Sequence, residues 1–191
     1  MKTAALLIIL GIALLVSPLA RARESTFTLF AGAGSHRNVT TLEENGTKAA
    51  YDGWASVGEA GFELSFAKYF GLIASAEVSQ AELINPKMTE TSFERATAVR
   101  KAGRLGFTLG SFMLGGGSRT TSITVKRLTS AGAEEEVLTG TEPFAFMGLN
   151  FDFHEWIRFS VEAEYGESTF GDTKATSLSG GLKLALLLNL F

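Results

Sequence analysis

The sequence predicts an all-β fold: an eight-stranded antiparallel up-and-down transmembrane β-barrel, preceded by a cleavable signal peptide. Three observations predict it. Residues 4–16 form an unbroken apolar run behind Lys2. From residue 26 onward, apolar and polar side chains alternate with a period of two in eight successive stretches, as strands with two different faces require. Cysteine is absent, so an exported chain must be closed by something other than disulfides. A ladder of backbone hydrogen bonds joined into a ring would do so.

The N-terminal element follows the pattern of an export signal. Lys2 gives the positive start, Ser17-Pro18 breaks the apolar helix, and Ala20-Arg21-Ala22 offers small residues at both ends of a cleavage site. The run falls short of the roughly 20 residues that a membrane-spanning helix needs. Residues 1–22 are therefore expected to be removed, and 23–191 to form one barrel domain. Losing Lys2 and Arg21 takes lysine plus arginine from 17 to 15 against 20 acidic residues, a formal charge of about −5. That balance excludes the basic stripe expected of a nucleic-acid partner.

The strands follow in order. Strand one spans 26–36, with Phe27, Leu29, Ala31 and Ala33 on one face, and the polar stretch 37–52 reads as a loop. Strand two covers about 54–68, where Phe62, Leu64 and Phe66 alternate with Gly61, Glu63 and Ser65, and a tight turn follows at 68–71. Strand three, about 72–82, sets Leu72, Ala74, Ala76 and Val78 against Ser75, Glu77 and Ser79. A loop containing Asn85-Pro86 leads to strand four within 92–110, with Val99, Leu105, Phe107 and Leu109 opposite Arg100, Arg104 and Thr108. Beyond a turn at 110–112, strand five reaches about Arg127 and is the least regular. Within it, Gly115-Gly116-Gly117 reads as a bulge or tight bend. The stretch 128–140, with Glu134-Glu135-Glu136, reads as a solvated loop. Strand six, about 141–152, turns at 153–155 into strand seven, where Ile157, Phe159, Val161, Ala163 and Tyr165 alternate with Arg158, Ser160, Glu162 and Glu164. After a short loop at 167–173, the last strand aligns Leu178, Leu182, Leu184, Leu186, Leu188 and Leu190 against Ser177, Ser179, Lys183 and Asn189.

Alternation alone does not separate a membrane barrel from a soluble one, which buries its apolar face instead. Three features favour the inverted arrangement. The polar faces carry both signs of charge in mid-strand: Glu63, Glu77, Glu162 and Glu164 against Arg100, Arg104, Arg158 and Lys183. Inside an eight-stranded barrel these could form a paired ion network. Aromatic residues gather near the strand ends: Tyr69, Phe70, Phe112, Phe153 and Trp156 at the turns, and Tyr51, Trp54, Phe93, Tyr165 and Phe170 near the loops, as interfacial girdles would. A leucine face also runs to the very end of the chain.

A signal peptide, eight amphipathic strands and the final Phe191 together resemble the small outer-membrane barrels, namely the transmembrane domain of OmpA and the OmpX/Ail group. The resemblance is one of architecture. It implies residence in a bacterial outer membrane, contact with its lipid and lipopolysaccharide, and Phe191 as a signal read by the barrel-assembly machinery. The leucines from Leu182 to Leu190 have the opposite parity to Phe191, so either Phe191 turns inward or a bulge shifts the register.

No residue stands out as catalytic, cofactor-binding or metal-binding, and no cofactor is expected. The two histidines, His36 and His154, read as surface polar residues. Glu134-Glu135-Glu136 lacks the spacing of a calcium loop. The expected role is structural or loop-mediated surface interaction without a wide pore and without enzyme activity, with an extracellular ligand held through loops 37–52 and 128–140. Two alternatives remain open: a lipid A-modifying hydrolase, which needs a Ser/His/carboxylate set on the outer surface, and a soluble periplasmic barrel that binds a small ligand.

Overall fold

A strand with one apolar and one polar face must hide one of them, and it must pair both backbone edges. Closing a sheet into a ring meets both demands. The computed structural model describes residues 26–44, 46–67, 69–84, 95–129, 132–170 and 173–190. The expected signal peptide and Phe191 lie outside the described residues. Eight strands follow one another: β1 (Thr26–Glu44), β2 (Thr47–Ala67), β3 (Phe70–Ile84), β4 (Arg95–Leu109), β5 (Phe112–Thr129), β6 (Gly132–His154), β7 (Ile157–Phe170) and β8 (Thr173–Asn189). Each pairs antiparallel with the next, and β1 pairs with β8 to close the barrel. The first two tight turns fall where the sequence predicts them, with a positive φ of 60° at Gly110 in the second, and the third lies at 155–156, because Phe153 and His154 still belong to β6. The register slips only beside the other two turns, between Ser65 and Ala67 and between Asp152 and His154.

The strands are longer than the hydropathy pattern suggests. The stretch 37–52 is not a loop. Arg37 to Glu44 pair rung by rung with Thr47 to Trp54 about the turn at Gly46, whose φ is +78°. Most of 128–140 is likewise strand, with Thr129 opposite Gly132 and Thr121 opposite Gly140. Water explains the difference. Outward positions beyond the lipid become polar, so the hydropathy alternation fades while the hydrogen-bonded ladder continues. The Asn45-Gly46 pair is itself a strong two-residue hairpin cue in the sequence. β1, β2, β5 and β6 have 19, 21, 18 and 23 residues, about twice the 10 or so that cross a bilayer as a strand, so both hairpins project well past the membrane.

Side chains are distributed inside out. Leu105, Phe107, Leu182, Leu184, Leu186 and Leu188 are all exposed on the barrel wall, whereas Arg158, Glu162 and Lys183 are buried within it. This arrangement excludes the soluble ligand-binding barrel. Tyr69, Phe153 and Trp156 ring the turn end, and Trp54 and Tyr165 lie exposed on the other side. Tyr51 and Phe170 do not belong to that upper girdle. Both point inward, joining Ala55, Val57, Leu83 and Ile123 in an apolar plug below the long hairpins. A second apolar cluster, Phe30, Ile73, Met113, Phe144, Phe146 and Leu187, lies in the lumen among the charged side chains.

The glycine triplet makes no bulge, because β5 pairs continuously with both neighbours. It makes room for rings instead. A Cβ on Gly115 would come within 2.5 Å of the Phe146 ring, and one on Gly117 within 2.9 Å of Phe144. β8 also pairs without irregularity as far as Asn189, so no bulge within it reconciles the leucine parity with Phe191.

Candidate functional site: the charged interior

The polar faces of β2, β3, β4, β5, β6, β7 and β8 converge in the lumen, interleaved with the second apolar cluster. All eight residues singled out from the sequence, Glu63, Glu77, Arg100, Arg104, Arg158, Glu162, Glu164 and Lys183, face the lumen and are only 4–7 % exposed. The barrel sorts them into three groups.

The central group is built on two cations. Arg104 of β4 donates through Nη1 to Glu59 at 2.8 Å and Glu77 at 3.1 Å, and through Nη2 to Glu162 at 2.5 Å. Glu164 lies 3.6 Å from the same Nη2. Lys183 of β8 reaches Glu162 at 2.7 Å and Glu77 at 3.3 Å and also donates to Glu59. The guanidinium of Arg104 rests 4.1 Å from the centre of the Phe146 ring, and that ring lies in the space that Gly106 and Gly115 leave open. Nearer the turns, Arg158 bridges Glu63 at 2.6 Å and Asp152 at 2.7 Å, and Thr108 donates to Glu63 at 3.1 Å. Arg100 belongs to neither group. Among the described residues it donates to Asn38 and to Thr40, the latter at 3.0 Å, and makes no ion pair.

The sequence reading missed part of the network. Arg119 of β5 pairs with Glu142 at 2.5 Å and Glu164 at 3.2 Å and donates to Ser177, while Ser75 donates to Glu59 at 2.5 Å. Parity would have found them. Glu59 shares a face with Glu63, Arg119 with Met113, and Glu142 with Phe144. The glycine triplet and the polar outer face of β5 hid the alternation there.

His36 is the clearest departure from expectation. It is not a surface residue but is 2 % exposed, pointing into the lumen opposite Gly181. The ring occupies the space a side chain at Gly181 would take, since a Cβ there would lie 2.4 Å from the His36 ring. His154 is exposed beside the third turn. No histidine of this chain therefore stands on the lipid-facing wall near the long hairpins, and the outer-surface Ser/His/carboxylate set required by the hydrolase alternative is not assembled around His36. Most of the buried charged groups pair with one another inside the lumen. A cavity of about 20 Å³ bordered by Phe30, Glu59, Met113, Arg158, Glu162 and Lys183 has room for about one water molecule.

No protein-family model matches the chain, and no curated protein does. Solved structures do. Ail, the attachment invasion locus protein of Yersinia pestis, superposes with a TM-score of 0.55 at 18 % identity, over 85 % of this chain and 99 % of that one. The same protein in complex with the heparin analogue sucrose octasulfate gives a TM-score of 0.52 at 17 % identity, over the same shares. Neisserial surface protein A gives 0.49 at 13 % identity, over 82 % of this chain and 95 % of its own. The likeness to Ail is one of fold: an eight-stranded, membrane-embedded β-barrel of the kind bacterial outer membranes contain.

Proposed function

We propose that this chain is a sealed outer-membrane barrel that acts through the hairpins it raises above the membrane, neither conducting solutes nor catalysing a reaction. The observation that carries the reading is the closed lumen combined with the long β1–β2 and β5–β6 hairpins. A transport role would need a continuous aqueous path, and here apolar clusters and a buried ion network fill the lumen. An anchoring role needs only rigidity and an exposed edge, and paired strands present ligands more rigidly than loops do. The Ail structure with a heparin analogue shows that barrel engaging a polyanion. This chain favours another class of partner. Its upper wall carries mixed charge, with Arg37 paired to Asp52 and Lys48 to Glu43 at 3.2 Å, and the sequence adds the acidic run Glu134-Glu135-Glu136. That surface suits a protein partner. The outward leucine and phenylalanine band would meet lipid directly.

The test displays the intact chain and a variant lacking residues 41–50 on bacteria, then measures adhesion to immobilised extracellular proteins. Adhesion by the intact chain that falls with the deletion is expected, along with heat-dependent gel mobility in both proteins. Equal adhesion by both, none by either, or stepwise conductance in a planar bilayer would overturn the reading.

A further inference from the structure

We propose that the lumen holds a divalent cation of the zinc type, bound by His36 of β1, Glu77 of β3 and Glu164 of β7. One ligand atom from each lies within 4.8 Å of the other two. Three atoms bound about 2.1 Å from one tetrahedral ion stand about 3.4 Å apart, so side-chain rotations that bring them up to about 1.4 Å closer complete the set.

The group adjoins the ion network without being fully satisfied by it. Nε2 of His36 is buried and has no hydrogen-bond partner, and Oε1 of Glu164 makes no hydrogen bond and meets the network only through Arg104 Nη2 at 3.6 Å. A buried acceptor left unsatisfied is costly and calls for a partner. Two such atoms in one three-residue group point to one shared ligand.

Charge points the same way. Glu59, Glu77, Glu142, Glu162 and Glu164 are paired to Arg104, Arg119 and Lys183, five carboxylates to three cations. Counting Arg100 as well still leaves one negative charge uncompensated. One imidazole nitrogen and two carboxylate oxygens suit zinc, with a further position open to water. Such an ion would tie three strands together across the lumen and act as a structural clamp. The ligands come from widely separated strands, so no local motif announces them. The apolar plug closes the long-hairpin side, so the ion is expected to enter during folding.

The experiment refolds the full exported chain into detergent with and without Zn²⁺, dialyses away loose ion and measures bound zinc per chain. X-ray absorption at the zinc edge reads the ligands. One zinc per chain is expected, with histidine in its coordination shell and a higher temperature for the heat-induced mobility shift. His36→Gln and Glu164→Gln should each weaken retention by about 100-fold or more, while His154→Gln should leave it unchanged. Should His36→Gln not fold, Glu164→Gln and the absorption spectrum of the unaltered chain decide the matter. No retained zinc, zinc without histidine ligation, or retention unchanged in His36→Gln would overturn the proposal. So would nuclear magnetic resonance showing the His36 ring protonated and bonded to a carboxylate in zinc-treated protein.

Discussion

Arg104 contacts more acidic side chains than any other cation described in the lumen, and its removal leaves several carboxylates facing one another in a space closed to bulk water. Breaking a buried ion pair by deleting one partner costs about 3–5 kcal/mol. Arg104→Met is expected to lower the unfolding free energy by that amount in urea titrations in lipid vesicles. Arg37 also pairs with a carboxylate, but its side chain is 60 % exposed, and Arg37→Ala is expected to leave the same titration unchanged. Glycines separate in the same way. At Gly115 a methyl group would meet both the Leu105 carbonyl at 2.4 Å and the Phe146 ring, and overpacking of this kind costs about 1–3 kcal/mol. At Gly58 nothing lies within 4 Å of an added Cβ, so Gly58→Ala should shift stability by less than about 0.5 kcal/mol. Paired unfolding curves for Gly115→Ala and Gly58→Ala test this.

At the scale of the strand, each element serves two solvents along its length. In β8, Leu182, Leu184, Leu186 and Leu188 face lipid while Lys183 and Ala185 face the lumen. That stretch was legible in the sequence because lipid outside and ions inside give the strongest contrast available. The same physics made β7 readable through Arg158, Glu162 and Glu164. Contrast fails where the outside is water, and so 37–52 and 128–140 looked like loops although their backbones are paired. It fails again in β5, where glycines stand in for side chains and Arg119 was overlooked. His36 was misread because Gly32 and Gly34 occupy the preceding positions of its face and leave no pattern for it to join. The boundary between lipid and water along one wall can be measured. Leu184→Arg is expected to destabilise the barrel by about 2–4 kcal/mol, as a charge in the hydrocarbon does. Val137 on β6 is equally outward-facing, at 61 % exposed, but lies on the projecting hairpin. Val137→Arg should cost about 1 kcal/mol or less, with vesicle-based urea titration again the readout.

For the whole molecule, enclosure matters more than any single pair. The central ion pairs of Arg104, Arg119 and Lys183 with their carboxylates are buried in the lumen beside the rings of Phe144 and Phe146, each side chain under 10 % exposed. Screening acts on exposed charges and only weakly on enclosed ones. Raising sodium chloride from about 0.1 to 1 M, which shortens the Debye length from roughly 10 to 3 Å, should leave the unfolding midpoint of the intact barrel nearly constant. A large fall would mean that electrolyte enters the lumen.

Lys183, near the end of the chain, bonds to Glu59 across a sequence separation of 124 residues, and Arg158 reaches Glu63 across 95. A ribbon of the first few strands threaded alone into the bilayer would confront hydrocarbon with acidic groups whose counterparts had not yet arrived. Passage into the membrane and joining of the first strand to the last are therefore expected to be one concerted event. Time-resolved cross-linking between β1 and β8 during vesicle insertion should rise in step with protection of the intervening strands from protease.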